Sequence, residues 1–339
     1  MNLNLLEKSI VATIAYYDAL DYPLTGFEVF KYLINPLHII ELSGISPTDE
    51  IEPLGKIELV DVLEALENRN LSFYLGEENG FYFLKKRENI IQTRIERQKI
   101  SDEMWKKVKK IIKWLPIIPC LRLVLISGSL AIDNAGQASD IDLLIAVKHK
   151  RIWTTRLLVT LFFQIIGQRR HGRKIQDRFC LNHYITDKSL KINLFSLYTA
   201  QSYSHLVPIL EIKKGIHNEF QNENNWINNY LAFYDYQKLS SQRSVKISPL
   251  LKFIAQIHEF FISSFIGGIS EKILGFFQKR HIKKHPLQSQ KGGRIVADNN
   301  QLEFHPDSPE ARIIDRYNQN MLRLGFQIEE KDSGLTINA

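Results

Sequence analysis

The sequence predicts a mixed α/β protein, with a small helical module at its N-terminal end and a mostly helical C-terminal region. Three observations carry that reading. Apolar residues recur at helical spacing through much of residues 3–70 and then close on a hairpin signal. Two short, almost wholly apolar runs at 121–127 and 141–147 read as buried strands. Beyond residue 187 the helical period returns. The 339 residues suffice for roughly two hydrophobic cores. The expected division is a module at 1–87, an α/β core with a leading basic helix at 88–200, and a helical region with a short hairpin at 201–339.

In order, Leu5, Leu6, Ile10, Ile14 and Tyr17 define a first helix over 3–19. A turn at 21–25 follows, and Thr25 with Glu28 has capping-box spacing, which starts a second helix running to about residue 34. Residues 35–55, with three prolines and two glycines, read as a loop. A third helix over 56–70 places Ile57, Val60, Leu63, Ala65 and Leu66 largely on one side. Apolar runs at 71–75 and 81–84 flank Glu77-Glu-Asn-Gly80, a hairpin signal. Three helices followed by a hairpin give the order of a winged helix.

Charge separates this module from the rest. Residues 1–87 hold seven Lys and Arg against fourteen Asp and Glu, a net −7, and the remaining residues hold 37 against 23, a net +14. A DNA-reading winged helix lays its third helix in the major groove. Here that helix carries Glu58, Asp61, Glu64 and Glu67 against Lys56 and Arg69, and carboxylates oppose phosphate contact. Nucleic acid is not favoured, and a protein partner at the module is the alternative to a plain helical cap.

Cys120 and Cys180 are the only cysteines, which excludes a disulfide scaffold and points to a reducing, cytoplasmic compartment. No transmembrane segment is expected. The apolar stretch 157–166 ends well short of the ~20 residues a span needs, and His258, Glu259, Glu271 and Lys272 break the stretch 253–277. The opening residues also lack the pattern of a signal peptide.

The chemistry concentrates between residues 121 and 147. A basic helix over about 87–115, with a solvated lysine face or a rim for a polyanion, leads into an apolar strand ending at Gly128-Ser129. A turn segment then leads to a second strand that opens with Asp140 and Asp142. Residues two apart on a strand share a face, about 7 Å apart at Cα. Such paired carboxylates suit Mg²⁺, which prefers oxygen ligands together with substrate phosphates. Gly128 permits close approach of a phosphate to the backbone, and the Ser129 hydroxyl can donate to it.

A hydrophobic strand, Gly-Ser, about ten residues and then Asp-Ile-Asp-Leu at the head of another strand resembles the nucleotidyltransferase superfamily of DNA polymerase beta. The resemblance implies an α/β (α+β) nucleotidyltransferase core. It implies transfer of a nucleoside monophosphate from a nucleoside triphosphate to an acceptor the sequence does not name, with pyrophosphate leaving. Asp140 and Asp142 would hold Mg²⁺, and Gly128 and Ser129 the β and γ phosphates.

Two departures bear on that implication. Related chains usually follow Gly-Ser with a basic segment, whereas this one has Leu130-Ala-Ile-Asp133. The superfamily also often carries a third carboxylate on the next strand, expected here at 178–186. Regular alternation there puts Cys180, Asn182 and Tyr184 on one face, so Asn182 is the candidate third ligand, neutral and without base character. Asp177 and Asp187 flank this strand and would serve only if it were shorter. Before it lies a basic loop with Arg169, Arg170, Arg173 and Lys174, and Arg173 and Lys174 are assigned to nucleotide phosphates. The alternative function is a degenerate, nucleotide-binding regulatory protein whose N-terminal module contacts a partner.

Further on, 188–211, 226–236 and 250–278 read as helices, 292–304 as a hairpin and 309–324 as a last helix. The phenylalanines of 250–278 read as core or subunit contact, with attachment to an anionic lipid surface as the alternative, because 279–285 is basic.

Overall fold

Helix α1 (Leu5–Asp18) begins at a reciprocal cap, in which the Asn4 side chain accepts the Glu7 N–H at 2.8 Å and the Glu7 carboxylate accepts the Asn4 N–H at 2.9 Å. The computed structural model describes residues 3–42, 56–172, 174–234, 243–283, 294–305 and 308–329. After β1 (Leu24–Thr25), the expected Thr25–Glu28 capping box starts α2 (Gly26–Lys31). The Glu28 carboxylate is also forked by Arg94 at 2.7 and 2.8 Å, which ties the module to the helix after it.

The stretch read as a loop contains α3 (Pro36–Leu42), with Pro36 at the first helical position, where a missing N–H costs nothing. The remainder of that stretch, 43–55, lies outside the described residues. Helix α4 (Leu59–Glu67) is shorter than expected and turned about its axis: Val62 and Leu66 are buried, while Val60 and Leu63 are exposed. The run at 71–75 is mostly a single 3₁₀ turn, Leu71–Phe73, and β2 (Leu75–Glu78) and β3 (Phe81–Leu84) follow. Together these strands form an antiparallel sheet of order β1-β3-β2.

The second sheet is built by the apolar runs. Helix α5 (Asn89–Ile112) buries Met104, Trp105, Val108 and Ile112, and exposes Lys106 and Lys110. Trp114, just past the end of the helix, is exposed. Next come β4 (Leu121–Ser127), α6 (Gly128–Ala131), β5 (Ile141–Val147), α7 (Ile152–Ile165), β6 (Phe179–Thr186) and α8 (Leu197–Ser204). Then follow β7 (Val207–Glu211), α9 (Ile216–Glu223), α10 (Pro249–Ile262), α11 (Phe265–Lys283), β8 (Arg294–Ala297), β9 (Gln301–His305) and α12 (Glu310–Arg323). The order across the sheet is β7-β4-β5-β6-β9-β8, antiparallel except for the β5–β6 pair.

Strand β7 corrects the reading of 188–211 as helix throughout. Val207, Ile209 and Leu210 are buried in the sheet's core, where tertiary pairing overrides local pattern. In the stretch read as helix at 226–236 the described residues, to 234, hold a 3₁₀ segment, Asn225–Asn229, and 235–236 lie outside the described residues. The late hairpin β8–β9 also does more than expected, because it extends the main sheet through β6.

Alternation along β4 and β5 divides the core. Val124, Ile126, Leu143 and Ile145 join a cluster with α5 and α7, whereas Leu123, Leu125, Leu144 and Ala146 join one with Leu190, Ile192, Ile216 and Phe220. A further cluster draws on all three stretches of the chain. It contains Tyr16, Tyr17 and Leu24, then Leu197, Ala200 and Leu231, then Tyr317 and Met321. The Asn320 side-chain amide donates to the Ala15 carbonyl at 3.2 Å and to Asp18 at 3.0 Å.

Glu259 and Glu271 pin α10 and α11 to the body. Glu271 accepts the backbone N–H groups of Trp153 and Thr154 at 2.8 and 2.9 Å, at the start of α7. Glu259 accepts from the Cys120 N–H at 3.1 Å, Arg122 at 2.6 Å and Lys148 at 3.0 Å. Burial alone would raise its pKa, but the hydrogen bonds from Arg122 and Lys148 outweigh burial and hold it at about 2. A carboxyl depressed in this way contributes stability above its unfolded pKa of 4.5 and loses it as pH falls towards 2. Glu259→Gln is therefore expected to lower stability by ~1–3 kcal/mol at pH 7 and by progressively less towards pH 3, read from urea midpoints at the two values.

Among the described residues no single helix is long and apolar enough to cross a membrane.

Candidate functional site

Strand β4 ends in a sharp turn at Gly128, whose φ of +69° is left-handed backbone. The antiparallel register sets Ser127 opposite Asp142. A Cβ placed on Gly128 would lie 2.6 Å from the Asp142 carboxylate, so the position is closed to side chains twice over, by φ and by space. Gly128→Ala is expected to cost ~1–3 kcal/mol. Adding Asp142→Ala to that variant should recover the part due to contact, leaving the backbone part, as read by urea unfolding of the two single variants and the double.

Asp140 and Asp142 point to the same sheet face and come together as the sequence predicts. A third group joins them: one ligand atom each from Asp140, Asp142 and Cys180 lie within 4.8 Å of one another. The parallel register pairs Asp142 with Cys180, then slips, so that Leu144 pairs with His183. This bulge is why regular alternation misplaced the faces of β6. Tyr184, expected beside Cys180, instead joins Phe179 in the cluster under α7. Asn182 falls within the bulge and is half-buried.

The loop before β6 contributes Arg170. Residues 168–170 run beside the start of the strand, with the Phe179 N–H donating to the Gln168 carbonyl and the Arg170 N–H to the Phe179 carbonyl, both at 2.9 Å. The Arg170 guanidinium then donates to Asp140 at 2.5 Å and to the Cys180 sulfur at 3.4 Å. Lys174 closes a turn with His171 and is exposed, and Arg173 lies outside the described residues. Arg170 and Cys180 were thus missed as site residues. Neither carries a local signal, since they meet the carboxylates through the β5–β6 register and the pairing of 168–170 beside Phe179.

Burial, and next the charge of Asp140, push the Asp142 pKa up to about 7, although hydrogen bonding with Cys180 and the charge of Arg170 pull the other way. Burial and then the two carboxylates push the Cys180 thiol well above its usual range. An acidic pair held against its own repulsion is an arrangement that a cation relieves. The donor set fits a divalent ion: two hard oxygens and a thiol, beside the solvent-exposed backbone of Gly128. Ser129 is half-buried beside the turn, its carbonyl accepting the Asn134 N–H at 2.8 Å and its hydroxyl 3.4 Å from that of Ser139.

Of the two flanking acids, Asp187 is used elsewhere. Asp187, at the far end of β6, accepts the His149 N–H at 2.8 Å. Asp133, in the segment that departs from the superfamily pattern, accepts the Trp105 indole N–H at 2.8 Å and pairs with Arg243, so that segment braces α5. A cavity of about 270 Å³ lies away from the carboxylates, between α1 and the end of α12, with Lys8 the one charged side chain among its lining residues.

Fold and site together define a mixed α/β protein with an acidic three-residue group able to hold a metal ion at one end of a six-stranded sheet. In comparisons with known proteins, the chain matches no family model, no curated protein and no solved structure.

Proposed function

We propose that the chain is a metal-dependent nucleotidyltransferase that moves a nucleoside monophosphate from a nucleoside triphosphate to an acceptor, releasing pyrophosphate. The observation that carries this reading is the left-handed turn at Gly128, exposed to solvent on one side and packed on Asp142 on the other, beside the Asp140–Asp142 pair. Asp140 and Asp142 hold the cation, Mg²⁺ in this reading, and a bound divalent ion neutralises triphosphate charge. The Ser129 hydroxyl and the backbone at Gly128 face the phosphates, and Arg170, bonded to Asp140, is a cation able to turn to them. The helix order and the β1-β3-β2 sheet support a winged-helix-like module. Phe27, Val60 and Leu63 are exposed beside Glu64 and Glu67, which favours a protein partner there over nucleic acid. Both cysteines are free and buried, which fits a reducing, cytoplasmic compartment.

A second reading, nucleotide binding without transfer, is favoured by a thiol standing beside the two carboxylates and by Arg170 neutralising Asp140. The test incubates the protein with each α-labelled triphosphate, Mg²⁺ or Mn²⁺, and cell extract as the acceptor source. Label transfer with pyrophosphate release, lost in Asp140→Asn, supports the first reading. Binding without release supports the second, and neither binding nor release overturns both.

A further inference from the structure

The phenylalanines of α10 and α11 are not core residues. Phe253, Phe260, Phe261, Phe265, Phe276 and Phe277 are all exposed, Phe260 by 77% and Phe265 by 84%. Along each helix they fall at helical spacing, so each helix turns a continuous apolar face outward. The two helices are bent by 88° at the break between them, and Phe260, Phe261 and Phe265 cluster around that bend. An exposed aromatic surface of this extent in a water-facing protein marks an interaction site.

Charge indicates what the surface meets. The only acids between 249 and 283 are Glu259 and Glu271, and both are spent inward, on Arg122 and Lys148 and on the start of α7. The exposed charges left on these helices, Lys272, Arg280 and Lys283, are all cationic. The border continues the pattern, because α10 packs on the 3₁₀ turn Leu115–Ile117 that follows exposed Lys113 and Trp114, with the Lys113 ammonium 5.4 Å from the Trp114 ring centre. Aromatic side chains rimmed by lysine, with tryptophan at the margin, form the composition that seats at a lipid–water interface.

We infer that the α10–α11 face binds peripherally to an anionic lipid bilayer, with the phenylalanines at the bend entering the headgroup boundary and Lys272, Arg280 and Lys283 meeting lipid phosphates. This holds whether or not the carboxylate site transfers nucleotides.

The test sediments the full chain with vesicles of phosphatidylcholine alone, or mixed with phosphatidylglycerol, at low and physiological salt. Binding to the mixed vesicles is expected to be at least about tenfold tighter than to phosphatidylcholine, and to weaken with salt. The triple change Phe260→Ser, Phe261→Ser, Phe265→Ser should weaken it about tenfold or more without moving the melting temperature, because these side chains are exposed. If that variant fails to fold, Arg280→Glu with Lys283→Glu, which keeps the apolar face, should remove the preference for phosphatidylglycerol. Equal sedimentation with both vesicle types, no sedimentation, or unchanged binding by the charge-reversed variant would overturn the inference. So would a dimer in solution that the triple change dissociates while vesicles go unbound, since the face would then belong to a second copy.

Discussion

Asp142→Asn is expected to do two opposite things: remove metal-dependent transfer and make the metal-free protein more stable at neutral pH. The first follows from the role proposed for the carboxylate, and the loss in turnover should reach ~10²–10³ or more. The second follows from linkage. In the folded chain Asp142 has a pKa of about 7, above its ordinary 3.8, so folding favours the protonated group. As pH rises from about 4 to 7 the unfolded chain gives up this proton first, and the folded state loses stability over that window. An asparagine has no proton to lose. The variant should match wild type near pH 4 and exceed it at pH 8 by ~1 kcal/mol or more. Thermal melts at the two values read the difference. Adding Mn²⁺ at pH 8 should raise the wild-type midpoint and leave that of Asp142→Asn nearly unmoved, since a ligand stabilises only what it binds. A wild type unaffected by any divalent ion, or a variant no more stable at pH 8, would remove the physical basis of the metal site.

The second large effect concerns Cys180. A thiol held protonated by burial and two nearby carboxylates gives little to a hard ion such as Mg²⁺, whereas a softer ion can displace its proton and bind the sulfur. Wild type is therefore expected to take Cd²⁺ or Zn²⁺ more tightly than Mg²⁺, with a near-ultraviolet thiolate band on Cd²⁺ addition that Cys180→Ser abolishes. Cys180→Asp converts the donor set to three carboxylates and should raise Mg²⁺-dependent transfer about tenfold or more. If Cys180→Asp leaves Mg²⁺-dependent turnover unchanged, the sulfur does not occupy a ligand position.

Much of the fold was legible because its signals are local. Thr25 and Glu28 announce a helix start by spacing alone, and the 141–147 run is apolar enough to be a buried strand in any setting. The paired carboxylates were readable because a strand's two-residue period is indifferent to what packs on it. What escaped depends on the partner strand. Cys180 meets Asp142 through a parallel register, and the bulge that follows reverses the faces of β6; neither leaves a mark in residues 178–186. Arg170 reaches Asp140 because 168–170 aligns beside Phe179, a pairing written in backbone hydrogen bonds rather than side chains. The exposed phenylalanines of α10 and α11 have the same cause in reverse. Hydropathy shows that a face is apolar, and only Glu259 and Glu271, by choosing the inner side, decide that this face looks outward.

The clasp between α1 and α12 has a bearing on how the protein is made. Tyr16 meets Tyr317 edge-on at 5.8 Å, Asn320 bonds the end of α1, and Arg316 reaches Asp21 at 2.9 Å. On a ribosome adding ~5–20 residues per second, α1 emerges tens of seconds before its partner helix exists. Throughout that interval Tyr17 can already stack on Tyr32, but Tyr16 still lacks the Tyr317 ring that covers it. Slower translation lengthens that exposure and is expected to lower the soluble fraction of the expressed chain, read at matched expression levels.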